Sequence, residues 1–468
     1  MIINEDTTLN PLFRSDSYKH SHAPLYPPGI TGMDAYITAR KKGARVMLFG
    51  LQMHLRKWLE NIWPIQPYDV AETAEFLASH GEPFDEKPWM YLIEKYGGYP
   101  PVTIKAIPEG LLVPAQCPLV RITCTDPKLF WLPMFLETDL QRAVWYPSSV
   151  ASQDHEHYLA IKRWWGLTCD SFAGMEFALH DFGGRGVTCG EQAQIGGAAH
   201  LVHFSGSDTL EGVWAANKYY DAQMAGFSVP ASEHSIQCAW GPLRQKEYLE
   251  HVLHTYAKEG TIVSIVLDGY DTLREVTTLC TVLKDKIVGS KALKVVFRPD
   301  SGDAIKLVGE ILQIQAAVFG TTRNQRGYKE LNGVGVIQGD GVDKTAIEAI
   351  LARAEALGFA SNNIVFGSGG ALLQKLNRDT YGFAQKASAV EEIHRWKGIY
   401  KDPVTDPDKR SAAGKLETFR SLLTSEYVCL DTIEKISDEF VPVMRVVYDK
   451  GILHNLESLD LIRKRART

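Results

Sequence analysis

Residues 229–236 read VPASEHSI, a histidine placed directly after a glutamate in a short polar stretch. That pairing suits a nucleophile whose ring is oriented by Glu233, a ligand, or a plain hydrogen-bonding loop residue. The choice depends on what else the chain brings beside His234. Six short β-branched or apolar runs each end in a polar turn: FALHDFGGRG (177–186), AHLVHFSGSDT (199–209), TIVSIVLDGYD (261–271), LKVVFRPDSG (293–302), GVGVIQGDGV (333–342) and NNIVFGSGG (362–370). The turns carry Asp181, Arg185, Asp208, Asp268, Asp271, Arg298, Asp300, Asp340 and the glycines of 367–370. Arginine forks bind phosphate bidentately, so Arg185, Arg298 and Arg378 near these ends suit a polyphosphate substrate. Asp300 and Asp340 can then hold Mg²⁺ or ribose hydroxyls, because Mg²⁺ takes few protein ligands and binds through phosphates. In FGSGGALLQKLNRD, Gly369 and Gly370 lie between an expected strand and an expected helix. Amides there can hold a phosphate, or the glycines serve only close strand–helix packing. Leu372 breaks the dinucleotide-binding pattern, and no Walker A sequence occurs. His155 and His157 are two apart and face different sides of a helix, so they do not make a metal pair.

The elements that must position these residues alternate. Helical spacing of apolar residues runs through DTLREVTTLCTVLKDKI, DAIKLVGEILQIQAAVF and DKTAIEAILARAEALGF, the last with Asp343 as its N-cap. Strand, polar turn, helix and strand again is the βα signature of a parallel sheet, and continuous apolar strands are buried on both faces. A closed barrel gathers the turns on one rim; an open doubly wound sheet gathers them along one edge. Residues 1–145 differ. PPVTIKAIPEGLLVPAQCPLVRITCTD (100–126) holds short β-rich runs broken by proline, which suits antiparallel strands, and LFGLQMHLRKWLENIW (48–63) is amphipathic. After the polar loop YKDPVTDPDKRSAAGK the chain returns to strand-like FVPVMRVVYDKGILH. The expected class is α/β: an irregular (β/α) barrel over 146–384, with a second α+β domain built from 1–145 and 385–468.

Composition narrows the function. With 45% hydrophobic and 23% charged residues, the chain has an ordinary globular balance. The net charge of −6 argues against a nucleic-acid partner, and IRKRART reads as a solvated C-terminal tail. Seven scattered cysteines without a C-x-x-C pair suit reduced thiols in the cytoplasm. MIINEDTTLN is too acidic for a signal peptide, and no apolar run reaches the roughly 20 residues of a membrane helix.

Taken in order, SDSYKHSH, HDFGGRG, GSDT, SEHS, RPDSG, IQGDGV, FGSGGALLQKLNRD and KDPVTDPDKRS resemble the motifs of the nicotinamide phosphoribosyltransferases, in the type II phosphoribosyltransferase family, over nearly the whole chain. The resemblance implies formation of nicotinamide mononucleotide and pyrophosphate from nicotinamide and phosphoribosyl pyrophosphate. It implies Mg²⁺ as cofactor, and ATP as a co-substrate hydrolysed through a phosphohistidine at His234. It implies that Phe182 stacks on one face of the pyridine ring. Tyr18, from SDSYK with Asp16, would cover the other face from the partner subunit of a homodimer. Arg185 and Asp208 would meet the amide, although Asp208 could instead cap the helix that follows it. Asp271, Arg298, Asp300, Gly339, Asp340, Gly369, Gly370 and Arg378 would serve the ribose and phosphates, with Arg40 and Lys401 as phosphate contacts across the dimer. The chain departs from the family in three places: Gly184 where tyrosine is common, LDGYD where the family often reads S-D-S-Y-D, and Ser232 where it has alanine. Two other readings remain: a nicotinate phosphoribosyltransferase on the same fold, and a non-catalytic nucleotide-binding protein.

Overall fold

A computed structural model describes residues 9–405 and 410–468. Most of the acidic N-terminal stretch (1–8), and residues 406–409 of the polar loop after Lys401, lie outside the described residues. The chain forms two compact units. One comprises the chain up to Ser152 with Lys218–Ala222 and Asn377–Thr468; the other comprises Gln153–Asn217 and Gln223–Leu376. The first boundary falls inside the helix Glu137–Thr168 (α1), seven residues beyond the break expected at 145, because that helix continues without a stop.

The first unit is built on an antiparallel sheet of seven strands. In spatial order they are Arg395–Gly398, Ala384–Glu392, Ile30–Thr38, Val120–Cys124, Thr103–Ala106, Arg445–Asp449 and Ile452–Leu453. Ile30–Thr38 pairs with Ala384–Glu392, so N- and C-terminal segments share one sheet and one core.

The second unit carries the βα series. Its strands are Leu179–Asp181 (β1), Gly206–Ser207 (β2), Ile262–Val266 (β3), Lys294–Arg298 (β4), Val334–Gln338 (β5) and Ile364–Ser368 (β6). They form one parallel sheet in the order β2-β1-β6-β5-β4-β3. Every residue of β5 is buried, the reason these strands read as apolar runs rather than alternating ones. The helices used below are Gly190–His200 (α2), Leu210–Tyr219 (α3), His234–Trp240 (α4), Gln245–Tyr256 (α5), Thr272–Thr281 (α6), Ala304–Phe319 (α7) and Lys344–Ala356 (α8). The run AHLVHF, expected as a strand, instead ends α2 and its following turn, leaving only Gly206–Ser207 in the sheet. The small residues of GGAAH let the helix continue buried, and this tertiary setting overrides the local pattern.

The expected irregular (β/α) barrel does not close. The sheet is a curled half-barrel whose edge strands β2 and β3 do not pair. Residues 227–232 span the gap without becoming a strand. Phe227 bridges to Gly206 and Ala231 to Ser264, one isolated bridge at each edge. Pro230 accepts from the Ser264 amide but has no N–H to return, so no ladder can propagate. VPASEHSI is the end of this closing segment, and His234 begins the helix that leaves it.

Candidate active site

In a parallel sheet the C-terminal strand ends lie on one rim. Here they surround a cleft of about 680 Å³. Phe182, Gly184 and Arg185 enter it after β1, and Asp208, Thr209 and Glu211 after β2. The closing segment supplies Glu233 and His234; β4 supplies Arg298 and Asp300, β5 Gly339 and Asp340, and β6 Gly369. The turn aspartates therefore divide into two kinds. Asp271, Asp303 and Asp343 accept from the amides of Arg274, Lys306 and Ala346 as N-caps of α6, α7 and α8. Such caps are worth about 1 kcal/mol each. Asp271, expected at the substrate, is a cap outside the cleft lining. Asp208, Asp300 and Asp340 face the cleft.

Phe182 donates its amide to Ser368 O at 2.9 Å, and its ring lies over Gly367. A Cβ at Gly367 would sit 2.0 Å from that ring, so only glycine admits it. The Arg298 guanidinium carbon lies 5.3 Å from the ring centroid. Arg298 donates to both oxygens of Asp300, at 3.1 and 2.8 Å, and a Cβ at Gly339 would fall 2.6 Å from Asp300 Oδ1. Asp340 is exposed on the rim. Among the described residues no three His, Cys, Asp or Glu side chains are grouped to hold a metal. Gly369 lines the cleft, and Gly370 begins the four-residue helix behind it.

Asp208 donates its amide to Asp181 O at 3.0 Å, and its carboxylate accepts from Ser228 Oγ in the closing segment. The first turn of α3 is closed by the Thr209 carbonyl, which accepts from Gly212 and Val213. A buried relay that sequence reasoning missed supports this turn. His200 Nδ1 meets Asp154 Oδ2 at 2.7 Å, and its Nε2 meets Gly206 O at 3.0 Å. Both neighbours are acceptors, so the ring is an imidazolium. Burial disfavours that charge, and the Asp154 carboxylate overrides it, raising His200 above its ordinary value. The neighbouring His180 has no such partner in contact, and burial pushes it down to about 4 against the pull of Asp208. The departure at Gly184 also has a geometric counterpart, since a Cβ there would lie 3.0 Å from Thr209 Oγ1. Leu267 is fully buried and offers the cleft nothing.

His234 is half exposed, and its Nε2 meets Asp268 Oδ1 at 2.8 Å. The expectation that Glu233 orients the imidazole is corrected: Glu233 accepts from Ser235 Oγ, and Asp268 holds the ring. Asp268 was visible only as one turn aspartate among several, because the contact joins residues 34 apart.

The remaining candidates belong to the first unit. Asp16 accepts from Thr138 Oγ1 at 2.7 Å, and the buried Lys19 donates to Met134 O and Glu137. These anchors leave Tyr18 55% exposed. Arg40 Nε donates to Gly382 O at 3.1 Å, and Arg40 lines a cavity of about 590 Å³ with Lys42, Lys386 and Arg410. Burial lowers the Lys386 pKa; the Glu137 carboxylate opposes that, and the charges of Arg40, Lys401 and Arg378 add to it, so these cations share one field. Lys386 and Arg410 were not singled out in the sequence: Lys386 lies inside a strand, and Arg410 follows a polar loop.

Residues 177–451 match the nicotinate phosphoribosyltransferase (NAPRTase) family, and residues 10–104 match the nicotinamide phosphoribosyltransferase N-terminal domain. The chain is 40% identical, over 98% of both chains, to a nicotinamide phosphoribosyltransferase of Xanthomonas campestris. It is 32% identical to one of Acinetobacter baylyi, over 98% of this chain and 97% of that one. In fold it is similar to the Pyrococcus furiosus nicotinate-nucleotide pyrophosphorylase, with a TM-score of 0.61, 16% identity and coverage of 100% and 96%. Human nicotinic acid phosphoribosyltransferase superposes with a TM-score of 0.56 at 18% identity, covering 97% and 92%.

Proposed function

The chain belongs to the nicotinate phosphoribosyltransferase family, and on that premise we propose that it transfers the phosphoribosyl group of phosphoribosyl pyrophosphate to nicotinamide in NAD salvage. The products are nicotinamide mononucleotide and pyrophosphate. Its scattered free thiols suit a cytoplasmic enzyme.

One observation carries the choice of base: Asp208 presents a carboxylate to the cleft that also holds Phe182. The ring of nicotinamide stacks on Phe182, and its amide N–H donates to Asp208. Nicotinate would bring a second negative charge to that point. Arg185 on the same rim is the feature that favours nicotinate, since a guanidinium can pair with its carboxylate. The ring nitrogen attacks C1 of the ribose as the bond to pyrophosphate breaks, and positive charge grows on the sugar. Asp300, held by the Arg298 fork, supplies a fixed negative charge to that region. Bound through the substrate phosphates, Mg²⁺ would neutralise the leaving pyrophosphate, and Asp340 is the carboxylate that fits it.

ATP coupling belongs to His234. Asp268 accepts a hydrogen bond from Nε2–H, which leaves the Nδ1 lone pair to attack the γ-phosphorus. The N–P bond forms, the bond to the β–γ bridging oxygen breaks, and ADP leaves with that electron pair; water later returns the histidine. The fixed Asp268 charge stabilises the phosphorylated cationic ring. Tyr18, Asp16, Arg40 and Lys401 are assigned to the site of a second copy of the chain, as the family resemblance implies. Incubation with nicotinamide and phosphoribosyl pyrophosphate tests the reading. Equal amounts of nicotinamide mononucleotide and pyrophosphate are expected, and binding without either product would refute catalysis.

A further inference from the structure

The segment that bears His234 is joined to the end of β3 at successive points. Ser232 Oγ accepts from the Val266 amide at 3.0 Å, His234 Nε2 meets Asp268 at 2.8 Å, and Gln237 Oε1 accepts from the Gly269 amide at 2.9 Å. The third join is specified from both sides. Gln237 is fully buried, and its amide can point only one way. Gln245 Nε2 donates to the carbonyls of Gly241 and Gln237, at 2.8 and 3.3 Å. Gln245 must therefore turn its oxygen to Gln237 Nε2, 2.8 Å away, and Gln237 must turn its own oxygen to Gly269. Gly269 in turn makes room. A Cβ there would lie 2.5 Å from Gln237 Oε1 and 2.6 Å from Cδ. Its φ is not in the left-handed region, so the space, and not the backbone angle, demands glycine. Gln237 and Gly269 are thus a matched pair.

We propose that Gln237 is a positioning residue for phosphoryl transfer to His234: its grip on the Gly269 amide fixes the neighbouring Asp268, which orients the imidazole. The proposal rests on His234 being the phosphoryl acceptor. Asp268 is the residue between the Val266–Leu267 strand end and Gly269, so a latch at Gly269 restrains its backbone from the far side. Leaving the half-buried Gly269 amide unpaired lets that turn move, and a displacement of an ångström is costly to an aligned transfer.

The test uses the full-length protein with γ-labelled ATP. Acid-labile, base-stable label is followed alongside transfer rates with and without ATP. Gln237→Ala and Gly269→Ser are each expected to slow labelling and cut ATP stimulation about tenfold, with ATP-free transfer within about twofold of wild type. The double variant Gln237→Ala/Gly269→Ser relieves the serine's clash but still lacks the bond to the 269 amide, so labelling no faster than that of Gln237→Ala is expected, and recovery toward wild type would overturn the proposal. Wild-type labelling rates in both single variants would overturn the proposal. So would an equal loss of ATP-free transfer, which would make the latch a general structural contact; melting temperatures identify that case. A wild-type protein that takes up no label overturns the reading of His234 itself, and the latch proposal with it.

Discussion

The cleft of the second unit and the cavity of the first are similar in size, about 680 and 590 Å³, and opposite in chemistry. The cleft collects Asp208, Glu211, Glu233, Asp300 and Asp340 against Arg185, Arg298 and His234. Among the described residues, the cavity is lined by Arg40, Lys42, Lys386 and Arg410 and by no carboxylate. A carboxylate-rich wall suits a sugar that becomes positive as its bond breaks, and repels the phosphates of the same substrate. A wall of cations does the reverse. On the proposed reading, the contrast gives bond breaking and base choice to the second unit, and phosphate affinity to the cations that the first unit offers the site of a second copy.

Each half of this contrast can be broken separately. The largest effect is expected from Asp300→Asn, which removes the charge that the Arg298 fork holds; kcat/KM is expected to fall about 10³-fold with little change in melting temperature. An acid titration of stability probes the support beneath Asp208. His180 falls from an ordinary 6.5 to about 4 in the folded protein because burial disfavours its charged form. Its contribution is thus complete above pH 6.5 and is lost as pH falls toward 4, to an extent of about 3 kcal/mol. Compared with wild type, His180→Asn is expected to lose less stability across that window; equal slopes would remove His180 from the account. Asp208→Ser comes next. At about 4 Å and an effective dielectric near 20, repulsion of nicotinate is on the order of 4 kcal/mol before solvent reduces it. The preference for nicotinamide is expected to fall roughly 100-fold, and an unchanged ratio would return Asp208 to a structural role. The smallest effect belongs to the first unit. Arg40→Ala is expected to raise KM for phosphoribosyl pyrophosphate about tenfold and leave kcat nearly unchanged. A loss confined to kcat would place Arg40 with the carboxylates and dissolve the contrast.

The fold was legible where local pattern and burial agree. The strands at 262, 294, 334 and 364 and the helices after three of them follow from apolar runs and helical spacing, the last helix also from its cap Asp343. Legibility failed where tertiary packing decides. The AHLVHF run is helical because small residues let α2 continue buried, and the barrel is left open because Pro230 cannot extend a ladder. In the site, residue types were readable and partnerships were not. A turn aspartate that caps, such as Asp271, looks like one that faces the cleft, such as Asp300, until the helix behind it is placed. Sequence adjacency suggested Glu233 for His234, and the fold supplied Asp268 from a different strand end. Asp154 read as an ordinary helix residue and His200 as part of an expected strand, since a buried ion pair between distant turns leaves no local signal.

The central claim is that the cleft of the second unit chooses nicotinamide through a carboxylate. The measurement that tests it most directly is kcat/KM of the wild-type protein for nicotinamide and for nicotinate, at saturating phosphoribosyl pyrophosphate with Mg²⁺ and ATP. A ratio of about 100 or more in favour of nicotinamide is expected. A ratio of one or below would contradict the claim and make this a nicotinate enzyme.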